Sequence, residues 1–405
     1  MSSMEKARAD FPVLTQKIRG KNLVYLDSAA TALKPWPVIE RISLFNSYET
    51  ANVHRGAHYL ADQATRYFEE SRAAVRDFVH ARASEEIIFT KGATESLNLL
   101  AQSWGRVNLH ANDEILLTRM EHHANIVPWQ MVAQQTGAKI KVVELTPDGQ
   151  LDRQDLARKL SPLTKVFAFT ACSNTLGTIN PVAELVSAAK AVGAITVVDG
   201  AQFVANHAVD VQAWGVDFFA FSGHKVFGPY GVGVLYGRQE LLRSMPPYQG
   251  GGSMIAKVTF AETTYNESPF RFEAGTPNIE AVIALKPALE YVGKWGWAAI
   301  QEHENELVQK ARAGLREIAG VRLFGPSQGT APLVSFVIEG IHHSDVGQIL
   351  DQENVAVRVG HHCTQPLMEV LGVTGTVRAS FSVYNNTQDV ELFLKAVAKA
   401  KEMLS

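Results

Sequence analysis

The chain of 405 residues has few cysteines, nearly balanced charge and no long apolar run. Its two cysteines, Cys172 and Cys363, are too few for a disulfide framework, so one of them is free for a chemical role. The 38 basic and 41 acidic residues leave a net charge of −3, which indicates neither nucleic acid nor an anionic membrane as a partner. No apolar run approaches the roughly 20 residues that span a bilayer, and the N-terminus lacks the apolar core of a signal peptide. These absences predict a cytoplasmic globular protein.

Short apolar runs alternate with helical stretches from about residue 87 to residue 236. This alternation predicts an α/β fold whose large domain contains a mostly parallel seven-stranded sheet covered by helices on both faces. Ligands of such sheets gather at the carboxyl ends of the strands. The candidate strands are residues 87–90, 114–118, 139–144, 166–170, 195–199, 218–222 and 232–236, with helices near 93–104, 125–136, 152–160 and 181–192.

The pattern of strands and helices differs in the C-terminal part, where longer helical segments separate the candidate strands. This change predicts a second, smaller α+β domain. We assign residues 24–290 to the large domain, and residues 1–23 and 291–405 to the small domain, which carries Cys363. A long helix near 277–294 joins the two domains, and the elements expected in the small domain are helices near 299–318, 343–353 and 387–403 and strands near 333–339, 355–359 and 377–382.

A lysine follows one of the apolar strands in the run FFAFSGHK, residues 218–225. Lys225 at the mouth of a buried strand suits an amine that forms a Schiff base with pyridoxal phosphate. Asp199 ends another apolar strand, where a carboxylate could keep the pyridinium nitrogen of that cofactor protonated. The alternatives at this stage are a surface lysine that closes a strand and an aspartate that caps a helix.

Two further strand ends carry polar groups. Gly92, Ala93 and Thr94 open a helix after the strand at 87–90, and free N–H groups there favour a phosphate, although an ordinary helix cap has the same pattern. His122 and His123 follow the strand at 114–118. Adjacent histidines seldom bind one metal ion, and no zinc-like spacing accompanies them, so we expect no metal. A histidine there could stack on an aromatic cofactor or move protons.

The other chemically rich stretch surrounds Cys363 in the run GHHC, residues 360–363. Two histidines and the nearby Arg358 could depress the pKa of this thiol and make it reactive. Arg378 lies in an apolar strand, where it needs a partner such as a substrate carboxylate or an internal acid. Asn174 follows the strand at 166–170 and could donate a hydrogen bond to cofactor or substrate. Cys172 is interpreted as a buried structural thiol.

These motifs together resemble the class V aminotransferase-fold enzymes, and among them the cysteine desulfurases of the SUF/CSD type. The ending QPLMEVLGVTGTVRASF resembles the branch of cysteine sulfinate desulfinases and selenocysteine lyases. The resemblance runs from Tyr25 to Ser380, nearly the whole chain. The matching motifs are NVHRG (52–56), GATES (92–96), EHHAN (121–125), VDGAQ (198–202), FSGHK (221–225), FEAGTPN (272–278) and GHHC (360–363).

The resemblance implies the fold type I of pyridoxal-phosphate enzymes and gives the cofactor residues their roles. Lys225 would hold the cofactor covalently and move the Cα proton of the substrate. His123 would stack on the ring and assist proton transfer. The remaining cofactor contacts would come from Asp199 at the ring nitrogen, Gln202 at the ring hydroxyl, Asn174, and Thr94, Ser222, His224 and a second subunit's Thr276 at the phosphate.

The resemblance also implies a substrate and partners. Arg378, helped by Asn174, would bind the carboxylate of L-cysteine, and Cys363 would accept its sulfur as a persulfide. His54 and Arg55 would reach the active site of the other subunit in a homodimer. L-cysteine sulfinate and L-selenocysteine are expected as further substrates. A SufE-like acceptor protein would receive the sulfur, with iron–sulfur cluster assembly as the destination.

Two other readings stay open at this stage. Another class V fold enzyme, such as an aminotransferase or a kynureninase-like hydrolase, has no need for a thiol at Cys363. A non-catalytic scaffold for sulfur-transfer partners has no need for Lys225, Asp199 and Arg378, all of which are present.

Overall fold

The computed structural model describes residues 3–405. Its strands, in chain order, are β1 (Lys17–Ile18), β2 (Lys21–Asn22), β3 (Val24–Tyr25), β4 (Ile87–Thr90), β5 (Glu114–Thr118), β6 (Lys139–Val143), β7 (Thr164–Thr170), β8 (Ile195–Asp199), β9 (Phe218–Ser222), β10 (Gly233–Gly237), β11 (Ile255–Val258), β12 (Thr263–Tyr265), β13 (Val321–Phe324), β14 (Leu333–Ile338), β15 (Val355–Ala356), β16 (Arg358–Gly360) and β17 (Thr376–Ser380).

Helices separate most of these strands. They are α1 (Trp36–Leu44), α2 (Tyr59–Phe78), α3 (Ala93–Leu100), α4 (Arg106–Asn108), α5 (Val127–Thr136), α6 (Arg153–Lys159), α7 (Val182–Ala191), α8 (Val211–Trp214), α9 (Gln239–Ser244), α10 (Ile279–Trp295), α11 (Trp297–Arg316), α12 (His343–Gln352), α13 (Gln365–Leu371) and α14 (Thr387–Leu404). Among residues 3–405, no helix combines the length and apolar character needed to cross a membrane.

The large sheet has seven strands in the order β4-β10-β9-β8-β7-β5-β6, which confirms the prediction. Strands β6, β5, β7, β8 and β9 pair in parallel, whereas β10 is antiparallel to both of its neighbours, β9 and β4. The carboxyl ends of β4, β5, β7, β8 and β9 therefore meet at one edge. The side chains of Thr90, Thr118, Thr170, Asp199 and Ser222 stand there.

Strand β9 illustrates how the sequence builds this sheet. Its side chains alternate between the two faces, as the period of two in a strand requires. Phe219 and Phe221 belong to one apolar cluster, while Phe218 and Ala220 belong to another. All four are buried, since helices cover both faces of the sheet.

A second sheet organises the C-terminal part, with strand order β13-β14-β17-β16. Its core cluster joins these strands with α11, α12 and α14 and includes Val24 and Leu26 from the N-terminal part. The single strand predicted at 355–359 is two pieces, because β15 pairs with β3 while β16 pairs with β17. Strand β13, helix α13 and the hairpin β11–β12 had no prediction. The division at residues 23/24 and 290/291 stays a prediction.

Candidate active site

A cavity of about 320 Å³ opens where the carboxyl ends of the large sheet face the stretch around Cys363. We call residues 361–364, between β16 and α13, the cysteine loop. Strand-end groups form one wall of the cavity, and the cysteine loop and the small sheet form the other. Its lining includes Ala29, Thr94, His122, Thr170, Cys172, Asn174, Asp199, Gln202, Ser222, His224, Lys225, Arg358, His362, Cys363 and Arg378.

Lys225 and Asp199 are electrostatic neighbours in this cavity. Burial lowers the pKa of the Lys225 amine, and the Asp199 carboxylate opposes that shift. Burial raises the pKa of Asp199, which is opposed by Lys225 and by the N–H of Ala201, which donates to Oδ1 at 2.9 Å. A lysine with a lowered pKa is a better nucleophile at neutral pH, as an amine that bonds to a carbonyl must be.

A second buried acid stands behind Asp199 and had no prediction. Glu121 is fully buried, and its carboxylate accepts hydrogen bonds from the hydroxyl of Thr118 at 2.5 Å, the amide of Asn125 at 2.7 Å and the N–H of Thr170 at 3.1 Å. Burial raises the pKa of Glu121 to about 8 despite these donors. Its bonds tie the ends of β5 and β7 together beneath the cavity.

The start of α3 offers donors at the other end of the cavity. The N–H of Ala93 donates to Oγ of Ser222 at 2.8 Å, and Thr94 lines the cavity. The backbones of β10 and the α3 entry lie so close that a Cβ on Gly233 would stand 2.3 Å from Cα of Gly92. Nδ1 of His224 is buried without a protein partner. This ring nitrogen and the hydroxyl residues Thr94 and Ser222 line the cavity beside the helix start, an arrangement that suits an anion.

The two adjacent histidines point in different directions, which the sequence pattern did not reveal. His122 lines the cavity, and its Nδ1 accepts the N–H of Ala124 at 3.0 Å. Burial, together with nearby positive groups that include Lys225, lowers the pKa of His122 to about 4. His123 does not line the cavity, although the resemblance assigns it to the ring. It bonds instead to the cysteine loop, so His122 takes the position over the cavity.

Two arginines converge on one carboxylate at the rim. Nη2 of Arg358 lies 3.0 Å from Asp27, and Nη2 of Arg378 lies 3.6 Å from the same side chain. Arg378 is buried, donates from Nη1 to the carbonyl of Asn174 at 2.7 Å, and keeps an unpartnered Nε. Burial lowers the pKa of Arg378 to about 10. Arg358 had no prediction as a site residue; the register of β16 on β17 places it opposite Arg378.

The cysteine loop holds an exposed thiol on an unusual backbone. His362 and Cys363 have φ values of 51° and 58°, a left-handed conformation that non-glycine residues seldom adopt. The loop is held by His362, whose Nε2 is hydrogen-bonded to Thr376 Oγ1 at 2.8 Å, and by Asn174, whose amide donates to the His362 carbonyl at 2.8 Å. Cys363 is exposed, whereas Cys172 is buried and its pKa is raised by burial to about 12.

Besides His123, three predicted residues lie outside the cavity lining in the single chain. Thr276 is exposed in a separate cavity of about 440 Å³. Nε2 of His54 is 2.8 Å from Glu69, and Arg55 is exposed beside it. Their roles were assigned to a second subunit, and they stay predictions.

Comparison with known proteins identifies the family. The sequence model of the family "Aminotransferase class-V" matches residues 24–393 of this chain. The chain belongs to the class-V aminotransferase family. It is 48% identical over 404 residues to a probable cysteine desulfurase of Vibrio cholerae, covering 100% of both chains.

Solved structures agree with this assignment. The cysteine desulfurase CsdA from Escherichia coli is similar with a TM-score of 0.93 and 40% identity, covering 100% of both chains. A cysteine desulfurase from Thermococcus onnurineus is similar with a TM-score of 0.94 and 41% identity, covering 99% of this chain and 98% of that one. The resemblance and the fold type I assignment from the sequence are thereby confirmed.

The cavity of this family member fits pyridoxal phosphate, the cofactor that the family uses. One cavity contains a nucleophilic amine, a buried carboxylate and a helix start that suits an anion. These are Lys225, Asp199 and the α3 entry at Gly92. The unpartnered Nδ1 of His224 and Nε of Arg378 are two buried donors or acceptors that ligand groups would satisfy.

Proposed function

We propose that this protein is a pyridoxal-phosphate-dependent cysteine desulfurase. It would convert L-cysteine and the Cys363 thiol into L-alanine and a Cys363 persulfide. The proposal depends on one observation: Cys363, Lys225 and Arg378 line the same cavity. An exposed thiol therefore faces an amine that can bond to a carbonyl and a guanidinium that can bind a carboxylate. The similarity to proteins named cysteine desulfurases supports it.

The cofactor would be held by the strand-end groups. Lys225 would bind it covalently, Asp199 would face its ring nitrogen, and its phosphate would sit at the α3 entry with Thr94, Ser222 and His224. His122, rather than His123, would lie against the ring. Gln202, whose amide donates to the carbonyl of Ala29 at 2.5 Å, would bond the ring hydroxyl. Bound pyridoxal phosphate supplies an electron sink that makes the Cα proton of an amino acid acidic.

The substrate carboxylate would bind at the rim of the cavity. The carboxylate of L-cysteine would pair with Arg378, whose Nε is unpartnered, with help from Asn174 and Arg358. The Lys225 amine, freed once substrate occupies the cofactor, would take up the Cα proton and return it to the product. Its lowered pKa keeps a larger share of the amine neutral and able to accept that proton.

The sulfur transfer balances without an outside oxidant. The Cβ–S bond of the substrate breaks, and an S–S bond forms between its sulfur and the Cys363 sulfur. The carbon that loses sulfur is reduced by two electrons, and the two bonded sulfurs are each oxidised by one. The proton of the Cys363 thiol compensates for the one that the new methyl group of alanine gains. The persulfide then passes to an acceptor by thiol exchange.

L-cysteine sulfinate and L-selenocysteine would also be substrates, because their side groups leave more readily and need Cys363 less. The proposal thus covers cysteine sulfinate desulfinase and selenocysteine lyase activities. An aminotransferase or a kynureninase-like hydrolase would not use the exposed thiol of Cys363, which favours the desulfurase. Product analysis separates them, since only the desulfurase yields alanine with persulfide or sulfide.

The proposal includes a docking acceptor, such as a SufE-like protein, with iron–sulfur cluster assembly as the destination. Only four residues separate β16 from α13, and bonds from Thr376 and Asn174 hold His362 beside the thiol residue, so the thiol has a short reach. Two unpaired cysteines support a cytoplasmic location. Addition of such an acceptor should speed turnover of L-cysteine; unchanged turnover would contradict this part.

A homodimer and the two-domain division at residues 24–290 complete the proposal. Exposed large apolar side chains on α1, just after it and at the start of α2 support the dimer, because burial against a partner would remove them from water. They are Trp36, Leu44, Tyr48, Tyr59 and Leu60, which are 40–77% exposed. A second subunit would bring Thr276, His54 and Arg55 to this cavity.

The deciding experiment measures alanine from L-cysteine, L-cysteine sulfinate and L-selenocysteine with the wild type and Cys363→Ala. We expect the variant to lose turnover of L-cysteine by at least about a hundredfold and to retain the other two activities. Cys172→Ala removes the other thiol for comparison; Cys172 also lines the cavity, but its side chain is buried. If Cys363→Ala keeps its turnover of L-cysteine, the persulfide half of the proposal is wrong. If no substrate yields alanine even with the wild type, the whole proposal is wrong.

A further inference from the structure

His123 makes two contacts with the cysteine loop and its exit. Its backbone N–H donates to the carbonyl of Cys363 at 2.8 Å, and its Nε2 accepts the backbone N–H of Gln365 at 3.0 Å. One histidine therefore bonds to the peptide groups on both sides of Thr364. Gln365 is the first residue of α13, where an N–H has no partner within its own helix.

We propose that His123 is a positioning residue that fixes the Cys363 thiol toward the cavity by bonding to the loop backbone. The proposal rests on the proposed function for the role of the thiol, but not for the contact itself. It differs from the role over the cofactor ring that the family resemblance gave to this residue.

The conformation of the loop makes such a support necessary. Two consecutive non-glycine residues, His362 and Cys363, adopt left-handed φ values, which persist only where surrounding contacts hold them. The bonds of Thr376 and Asn174 act on His362, and the hydroxyl of Thr364 is hydrogen-bonded to that of Thr175 at 3.0 Å. These bonds fix the residues before and after the thiol.

His123 acts on the peptide of the thiol residue itself. Its contacts start from the connection after β5 in the large sheet, so they tie the loop to the wall that also carries His122. A backbone N–H can only donate, and Nε2 of His123 must therefore be unprotonated to accept from Gln365. Burial and the neighbouring His361, whose ring centroid is 5.6 Å away, lower the pKa of His123 and keep the accepting form.

Two substitutions of His123 by residues with amide side chains test the position of the accepting atom. His123→Gln places an acceptor oxygen near the position of Nε2, whereas the shorter side chain of His123→Asn cannot reach the N–H of Gln365. Both variants lose the imidazole, so they differ in the proposed contact alone. His343→Asn is the location control, because this half-buried histidine packs beside Gly375 near the loop and is bonded to Ser344 on its own helix.

The measurement is amide hydrogen exchange of the segment 360–367 in the cofactor-loaded enzyme, with the rate of Cys363 alkylation by iodoacetamide. We expect His123→Asn to exchange the Gln365 amide about tenfold faster, as the loss of one hydrogen bond predicts, and to alkylate at a changed rate. His123→Gln and His343→Asn should match the wild type. Exchange in His123→Asn equal to that of the wild type would overturn the proposal, as would loss of protection in both His123 variants.

Kinetics give a separate readout. We expect His123→Asn to slow single-turnover persulfide formation from L-cysteine about tenfold while turnover of L-cysteine sulfinate stays within twofold, with rescue in His123→Gln. An equal loss on both substrates together with an altered cofactor absorbance would instead assign His123 to the ring and overturn the proposal. If the wild type forms no persulfide, the desulfurase proposal fails, whereas the exchange and alkylation results still decide the role of His123.

Discussion

The two walls of the cavity are held in place by different kinds of contact. The first wall, here called the cavity floor, comprises Asp199, Ser222 and Lys225 at the ends of β8 and β9 and just beyond. Parallel backbone pairing and apolar packing on both faces of the sheet fix it. The cysteine loop has no strand pairing of its own and is held by single hydrogen bonds from separate elements, most of them made by side chains.

This difference matches what each wall must do. A cofactor that stays bound through many turnovers benefits from a rigid, preorganised site. A thiol that meets first a substrate and then an acceptor must be exposed, and its backbone must be supported without being buried. Changes in the floor should therefore affect every substrate, whereas changes in the loop should affect sulfur transfer more than the other reactions.

The largest expected effect is that of Lys225→Ala, which would break the floor. We expect turnover of every substrate to fall by about 10³-fold or more, because the variant lacks both the covalent link and the amine that moves the proton. The visible absorbance of the lysine-linked cofactor should be lost as well. Lys159→Ala is the control, since that amine lies 2.7 Å from Asp155 away from the cavity. If Lys225→Ala kept its turnover, the cavity floor would not be the part of the site on which every substrate depends.

A middle-sized effect separates a glycine of the large sheet, Gly233 on β10, from a glycine of the small sheet, Gly360 at the end of β16. An alanine at Gly233 would place its Cβ 2.3 Å from the backbone of Gly92, so we expect a loss of about 3 kcal/mol in the free energy of unfolding. Gly360 has φ 109° and open space around it, so Gly360→Ala should cost only about 1–2 kcal/mol of backbone strain. Chemical denaturation measures both. Equal losses would show that the large sheet at Gly233 is no more rigid than the small sheet at Gly360.

The smallest expected effect concerns acid pH. Burial lowers the pKa of His122 and His224 in the floor to about 4 and that of His362 in the loop to about 2. As the pH falls below 6.5, these histidines take up protons in the unfolded chain before they do so in the folded one. Folding stability should therefore be fully present above pH 6.5 and fall as the pH drops toward 4.

Thermal unfolding between pH 7 and pH 4 measures this loss. His362→Gln should flatten the acid limb, because it removes one titrating group while keeping a polar partner for Thr376. The control is His110→Gln, since His110 is exposed. An acid limb with the same slope in His362→Gln as in the wild type would contradict the assignment of His362 as a neutral, buried group.

The sequence predicted the floor better than the loop for a physical reason. Apolar runs set the seven strands locally, and their ends followed from chain direction, so Asp199, Ser222 and Lys225 were found together. Arg358 was missed as a site residue because its position depends on the pairing of β16 with β17, two strands that helix α13 separates in the chain.

The adjacent histidines show a second limit. His122 has extended backbone dihedrals of −64° and 147°, and the chain then turns into a short 3-10 helix that begins at His123. This turn sends one ring into the cavity and the other toward the cysteine loop. Neither spacing nor residue type distinguishes two consecutive histidines, so the family role was assigned to His123 while His122 lines the cavity.

The arginine pair at the rim has a consequence for electrostatics at longer range. Arg358 and Arg378 share the single carboxylate of Asp27, which leaves a surplus of one positive charge beside Cys363. An incoming amino-acid carboxylate is the counter-ion that this arrangement lacks. Dissolved salt would compete with it, since screening at 0.15 M acts over about 8 Å. Capture of substrate should therefore weaken as ionic strength rises, although the residues that perform the chemistry are unchanged.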